Sequence, residues 1–269
     1  MRKRSPLFFA QLAFTLLVCA FLIVPVILSM LAGLTVNYLV GIQSGLTLRW
    51  VGEVWSGYRD TIFLSIGIAL TCLACTLVLG VPTAYVLAKR QTAFARALEE
   101  LLVMPVAVPG LATALALIIT YGGAGGFRTS WVFILVGHVL FTLPFMVRSV
   151  LAVLMAIDLK TLEEGAASLG ANFRQRFFHI VLPNCRSGML AGSLMVVTLS
   201  MGEFNMTWLL HTPFNKTLPV GLADAYASLR LEIASAYTLV FFIMIVPLLL
   251  AMQALSQPPR ASKFRAEEE

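Results

Sequence analysis

Long apolar runs separated by short polar stretches dominate the chain. A helix needs roughly twenty apolar residues to cross a bilayer. Six stretches meet that length: residues 7–32, 61–88, 101–121, 131–155, 189–211 and 234–255. The pattern predicts an all-α polytopic membrane protein with six transmembrane helices. It divides the chain into an N-terminal anchor helix with an outer loop (1–60), a transmembrane domain (61–255) with a polar loop at 156–188, and a polar tail (256–269). Arg2, Lys3 and Arg4 precede the first run as they would in a signal peptide. The run is longer than an h-region of about 7–15 residues, so it reads as an uncleaved anchor.

The polar island at 163–183, EEGAASLGANFRQRFFHIVLP, interrupts this pattern most sharply. It reads as two short helices broken at a glycine. Thr161 and Glu164 have capping-box spacing, as do Asn172 and Gln175. Gly170 suits the left-handed residue that ends the first helix. Phe173, Phe177 and Ile180 then share one helical face, and Pro183 is expected to stop the second helix. A plain connector rarely needs two caps and a glycine break. An apolar knob on a polar loop points instead to a docking element for another protein.

Composition supports the membrane reading. The chain is 59% hydrophobic and 12% charged, with mean hydropathy +0.90. Soluble domains carry about 25% charged residues. The net charge of +6 is therefore topology; no basic stripe interleaved with aromatics points to nucleic acid. With the N-terminus inside, 14 of the 19 basic residues fall in cytoplasmic segments or beside them, Arg148 included, and 5 fall outside: Arg49, Arg59, Arg128, Lys216 and Arg230. The positive-inside rule then places both termini and the 156–188 loop in the cytoplasm. Trp50, Trp55 and Tyr58 in the outer loop suit a membrane interface.

Metal and redox chemistry find little footing. Cys72 and Cys75 form a CxxC inside an apolar run without further ligands nearby, and His138, His179 and His211 have no metal-ligand spacing. These residues read as structural, and no metal site is expected.

The island resembles the EAA loop of ABC-importer permeases. That family's pattern is Glu-Ala-Ala, three residues, Gly-Ala, a hydrophobic residue further on, then Leu-Pro. Here Glu164, Ala166, Gly170, Ala171, Phe177, Leu182 and Pro183 match it, Ala167 falls among the three residues between and is taken with them, and Gly165 departs from alanine at the second position. The resemblance covers about residues 60–255. It implies a type I importer permease fold, with these residues docking a cytoplasmic ATPase. It also implies a second permease, as twin or paralogue, two ATPase subunits carrying ATP and magnesium, an extracytoplasmic solute-binding protein, and a bacterial inner-membrane location. No cofactor is expected on this chain. It contains no G-x-x-x-x-G-K-[ST], so it is expected to be a transporter subunit that does not hydrolyse ATP by itself.

The translocation path is less sharply marked. Glu203 lies within the fifth run, in SMGEFNMT. A carboxylate in hydrocarbon costs about 2.5–3.5 kcal/mol on insertion scales, so it should face other helices or a watery cavity. Permeases for sulfate, molybdate, ferric iron, polyamines and phosphonates carry a similar Gly-Glu-Phe/Leu stretch, matched here by Gly202, Glu203 and Phe204. Glu203, Gly202, Asn205, Pro105 and Pro109 are the candidate pathway residues. Glu203 also reads as a structural lock between helices. Pro105 and Pro109 read either as a gate hinge or as a static kink. Gly188 and Gly192 form a GxxxG. Polyamines, 2-aminoethylphosphonate, ferric iron and oxyanions all remain open as solutes, with a polyamine or 2-aminoethylphosphonate favoured. Two other classes also stay open: an ion-coupled secondary carrier using Glu203, and an integral-membrane enzyme.

Overall fold

A computed structural model describes residues 6–90 and 92–256. Arg2, Lys3, Arg4 and the tail from residue 257 lie outside the described residues. The helices are α1 (Pro6–Ala32), α2 (Arg49–Lys89), α3 (Ala93–Ala107), α4 (Gly110–Tyr121), α5 (Gly125–Arg128), α6 (Trp131–Met155), α7 (Leu159–Ser168), α8 (Phe173–Arg176), α9 (Leu182–Asn184), α10 (Arg186–Gly202), α11 (Asn205–Leu210), α12 (Leu218–Ala227) and α13 (Leu231–Ser256). A 3-10 turn covers Gly41–Ser44 and a π-helical stretch covers Phe177–Val181. Among the described residues the only extended pairing is an isolated bridge between Thr35 and Leu46.

Four helices are long and apolar enough to cross a membrane, and six spans result if each bent helix pair counts as one. The predicted runs 7–32, 131–155 and 234–255 coincide closely with α1, α6 and α13. The second run is extended: α2 begins at Arg49, so the non-helical part of the expected outer loop ends at Leu48. At 1.5 Å per residue such a helix is about 60 Å long, twice a hydrocarbon core. Tertiary contacts explain why this glycine-containing stretch is helical. Trp50 Nε1 donates to Thr35 O at 2.9 Å, and Arg230 bonds both the Tyr58 hydroxyl (2.7 Å) and Glu53.

The chain divides into two compact units, Met1–Asp60 with Gly221–Met244, and Thr61–Val220 with Ile245–Glu269. Within the first, Glu232 Oε1 accepts the Tyr38 amide hydrogen at 2.9 Å, and Gly33 lies so close to the Ser235–Ala236 backbone that a Cβ would collide with it. The long α1 presents apolar side chains to its surroundings along its length.

The second unit is built around α6, which buries Phe133, Ile134, His138, Met146, Val150 and Leu154. Its principal partner is α10, through the GxxxG. A Cβ on Gly188 would lie 2.5 Å from Ser149 O and 3.0 Å from Val150 Cα; one on Gly192 would lie 2.8 Å from Met146 Sδ. The glycines thus let two backbones touch, the role small residues play where lipid gives helices no hydrophobic reason to associate. Gly188→Val is expected to destabilise this seam by about 1–3 kcal/mol, seen as a lower melting temperature of the detergent-solubilised protein. Gly165→Ala, where nothing lies within 4 Å, should leave it unchanged or raise it. An unchanged melting temperature in Gly188→Val would contradict the seam.

The third predicted span is a sharply bent pair. α3 and α4 meet at 102° across Val108-Pro109. Proline lacks the amide hydrogen that would continue the ladder and pushes the preceding residue into extended backbone; Val108 has φ −85° and ψ 130°. The fifth predicted span, 189–211, is not continuous either. It breaks at Glu203-Phe204 between α10 and α11.

Candidate functional site

The polar island folds as two helices about a glycine. Asp158, rather than Thr161, caps α7: Asp158 Oδ1 accepts the Thr161 amide hydrogen (3.2 Å) and Oδ2 accepts its hydroxyl (2.6 Å). The same two bonds, the hydroxyl first, hold the exposed Asp158 carboxyl below its usual range. The helix starts earlier than expected because the aspartate offers two acceptor oxygens where threonine offers one hydroxyl. Gly170, at φ +85°, ends α7 in a Schellman motif: its amide bonds Ala167 O at 2.9 Å, and that of Ala171 bonds Ala166 O at 3.0 Å. Four sequence-predicted docking residues thus build one turn. Leu169, just before the glycine, is 90% exposed at its tip. Glu164 is exposed, 3.9 Å from Lys160.

The second helix opens on the expected capping box. Asn172 N donates to Gln175 Oε1 at 2.8 Å, and Gln175 N to Asn172 Oδ1 at 2.9 Å. Pro183 does not stop it. The helix widens into the π stretch Phe177–Val181 and continues through α9 to Asn184, with the turn occurring at Cys185. The Leu182 amide bonds Phe177 O, five residues back. This wider ladder carries the chain up to Pro183, which cannot itself donate. The axis then bends by 67° into α10.

Sequence reasoning overlooked Glu163, the residue that fastens the segment. Its Oε1 accepts the Tyr85 hydroxyl at 2.6 Å and its Oε2 faces Lys89 Nζ at 2.9 Å, both on the last turns of α2. Glu163 is 4% exposed, whereas its neighbour Glu164 is open to solvent. The overlooked signal was position: Leu159 and Glu163 share a helical face, and both are buried. Phe177 turns towards α2, edge-on to Tyr85 (5.6 Å between centroids) and stacked with Phe173 (6.1 Å). A cleft of about 580 Å³ lies alongside, lined by Lys89, Leu154, Lys160, Glu163, Glu164 and Arg176 among others.

Burial pushes the Glu163 carboxyl up. Tyr85, Lys89 and Arg176 outweigh it and hold the group below its ordinary 4.5. A depressed carboxylate stabilises the fold fully above its unfolded pKa and less as pH falls through its folded one. Glu163→Gln is expected to cost about 1–3 kcal/mol. The melting-temperature gap from wild type should hold between about pH 7 and pH 5 and close below about pH 4.5. A gap that widens in acid would refute the ion pair.

Glu203 sits at the break between α10 and α11. One carboxylate oxygen accepts the Met206 amide hydrogen (2.8 Å); the other accepts the Thr207 amide (2.9 Å) and hydroxyl (2.6 Å). These bonds replace helix carbonyls, which is why the expected continuous helix restarts here. His138 of α6 bonds Ser200 Oγ and Thr207 Oγ1, both at 2.8 Å, and lies 3.9 Å from Glu203. Gly110, at the start of α4 beside Pro109, faces Glu203 and Asn205. The structure thus gathers Pro109, Glu203 and Asn205. Gly202 is adjacent in the chain, and Gly202, Asn205 and Pro109 are exposed while Glu203 is buried. Pro105 lies in α3, beyond the bend. Arg128 counts in the sequence only as an outer charge. It donates to Leu210 O (2.9 Å) and Leu209 O (3.3 Å), satisfying the end of α11. Cys72 lies 3.2 Å from Thr142 Oγ1, a packing contact between α2 and α6.

Residues 77–258 match the model of a family described as binding-protein-dependent transport system inner membrane component. The chain is 29% identical to the putrescine transport system permease protein PotI of Escherichia coli, over 78% of this chain and 77% of that one. It is 28% identical to the sulfate transport system permease protein CysW of Synechocystis, covering 74% and 77%. It is 25% identical to the putative 2-aminoethylphosphonate transport system permease protein PhnV of Salmonella typhimurium, covering 89% and 90%. Among solved structures, a chain of a bacterial ABC transporter involved in the import of the acidic polysaccharide alginate superposes with TM-score 0.69 at 17% identity, over 93% of this chain and 94% of that one.

Proposed function

The chain belongs to the binding-protein-dependent transport system inner membrane components, the permease subunits of ABC importers, and from that premise we propose that α7–α9 is its mechanical coupling to a cytoplasmic ATPase. The supporting observation is a two-helix segment turned at Gly170, with Leu169 presented outward and Glu163 tied to the end of α2. A push on the α7 tip would reach α2 through Glu163 and Phe177, and α10 through the bent π stretch. Two permeases, identical or paired with a paralogue, would frame the pathway. Two ATPase subunits would hold ATP and magnesium, and an extracytoplasmic protein would deliver the solute. Both termini and the coupling segment face the cytoplasm in this reading. Basic residues cluster accordingly around this segment: Lys89 and Arg176 line one cleft, and Arg96 and Arg148 line another.

The solute is a small charged one in this reading, with a polyamine or 2-aminoethylphosphonate favoured. The names of the relatives support the breadth, since putrescine, sulfate and 2-aminoethylphosphonate are all small and charged. Pro109, Gly202 and Asn205 are the exposed pathway candidates, with Glu203 behind them as the carboxylate that shapes the break. The assembled transporter in proteoliposomes tests the function. Uptake should require ATP and stop when the partner's phosphate-binding lysine is replaced. ATP-independent uptake driven by an ion gradient would instead establish a secondary carrier. Ligand screening of the cognate binding protein decides the solute.

A further inference from the structure

A groove of about 800 Å³ runs between the last turns of α2 and the second helix of the coupling segment. Its walls are apolar or aromatic: Pro82, Val86 and Tyr85 on α2, with Phe173, Phe177 and Phe178 opposite. Its rim is basic, formed by Lys89, Arg90 and Arg174. Glu163 pairs with Lys89, which leaves Arg90 and Arg174 as the other two positive charges of the rim. Among the described residues no ion pair or side-chain hydrogen bond engages Arg90 or Arg174. Val86 is 50% and Phe178 57% exposed.

This combination has a specific chemical complement. The walls begin at the end of an apolar span, where acyl chains would meet them, and the basic rim lies just beyond, at the level headgroups would occupy. Basic pockets beside transmembrane helices recognise anionic headgroups. Guanidinium pairs phosphate oxygens through parallel N–H bonds, which favours Arg90 and Arg174 as the contacts. Tyr85, with its hydroxyl on Glu163 and an ammonium 5.4 Å from its ring centre, forms the floor between the two zones.

We propose that this groove binds one anionic phospholipid of the cytoplasmic leaflet, its phosphodiester on Arg90 and Arg174 and an acyl chain along Val86 and Phe178. The proposal rests on the cytoplasmic placement of the coupling segment. Because the lipid would lie against both α2 and the Phe173–Phe177 stack, it would brace the joint through which Glu163 acts.

The assembled transporter is delipidated, offered equal phosphatidylglycerol and phosphatidylcholine, and examined by native mass spectrometry. Wild type should retain phosphatidylglycerol roughly tenfold over phosphatidylcholine. The R90Q/R174Q variant should lose that preference, and R96Q/R148Q, altered in the neighbouring cleft, should keep it. Soluble glycerol phosphate should not displace the lipid. No preference in wild type, or the same preference in R90Q/R174Q, overturns the proposal. So does cross-linking of an F178C variant to the ATPase, which would show protein covering the groove. Retention is read separately from coupling: a Leu169→Glu variant that keeps the lipid but transports normally would refute the coupling and leave the lipid site standing.

Discussion

Leu169→Glu is expected to cut ATP-driven uptake at least tenfold at equal membrane levels and to reduce co-purification of the ATPase. The side chain is 90% exposed on a helix tip, and the Schellman turn at Gly170 fixes its direction. Full burial of a leucine in a partner's cleft is worth about 1.5–3 kcal/mol, and central anchors of interfaces cost about 2 kcal/mol or more on truncation. Glutamate adds the cost of burying a charge. Each 1.4 kcal/mol is about tenfold in affinity, so a loss beyond one order of magnitude follows. Gly170→Pro should act as strongly for a different reason. Proline cannot adopt φ +85° and would remove the hydrogen bond to Ala167. Lys160→Gln, which removes an exposed charge 3.9 Å from Glu164, should transport normally. Normal uptake by Leu169→Glu would end the docking assignment of the tip.

Glu203→Ala carries the second large effect, and it falls on stability. The substitution strands two buried backbone amides and the Thr207 hydroxyl. Each orphaned donor costs about 1–3 kcal/mol, with hydroxyl rotation and water relieving part of the sum. The net expectation is about 3–5 kcal/mol, or a fall in melting temperature on the order of 10 °C. Glu203→Gln keeps the volume and one acceptor oxygen and should lose less. If the carboxylate instead contacts solute, Glu203→Gln will leave the melting temperature in place and raise KM for uptake. That outcome would overturn the structural role derived from the three hydrogen bonds.

The spans were legible because lipid imposes one simple rule, length of apolar run, and residues 131–155 obey it without interruption. Breaks inside runs were harder to place. Pro109 announced a bend, since its missing donor is a property of the residue itself. Glu203 announced only a costly charge. That it would turn back and cap the next helix depends on the backbone leaving the helical path at Glu203 itself, at ψ 116°, which the residue type does not show. The glycine turn and the Asn172 capping box were readable for the same local reason. Glu163 was not, because two adjacent glutamates look alike until a neighbouring helix buries one of them. The start of α2 at Arg49 was hidden as well, since contacts with Thr35 and Arg230 hold a stretch whose glycines favour a loop.

The π stretch at Phe177–Val181 sets a rule for length variation. A π turn holds one residue more than a regular helix, and each residue of an α-helix turns the chain by about 100°. Deleting one residue between 177 and 181 would remove that extra residue and return the stretch to a regular α ladder, with Phe173 and α10 keeping nearly the same relative direction. The aromatic clasp on Tyr85 therefore tolerates the loss of one residue at the π stretch, whereas a loss in the regular turn before it would swing Phe173 by about 100°.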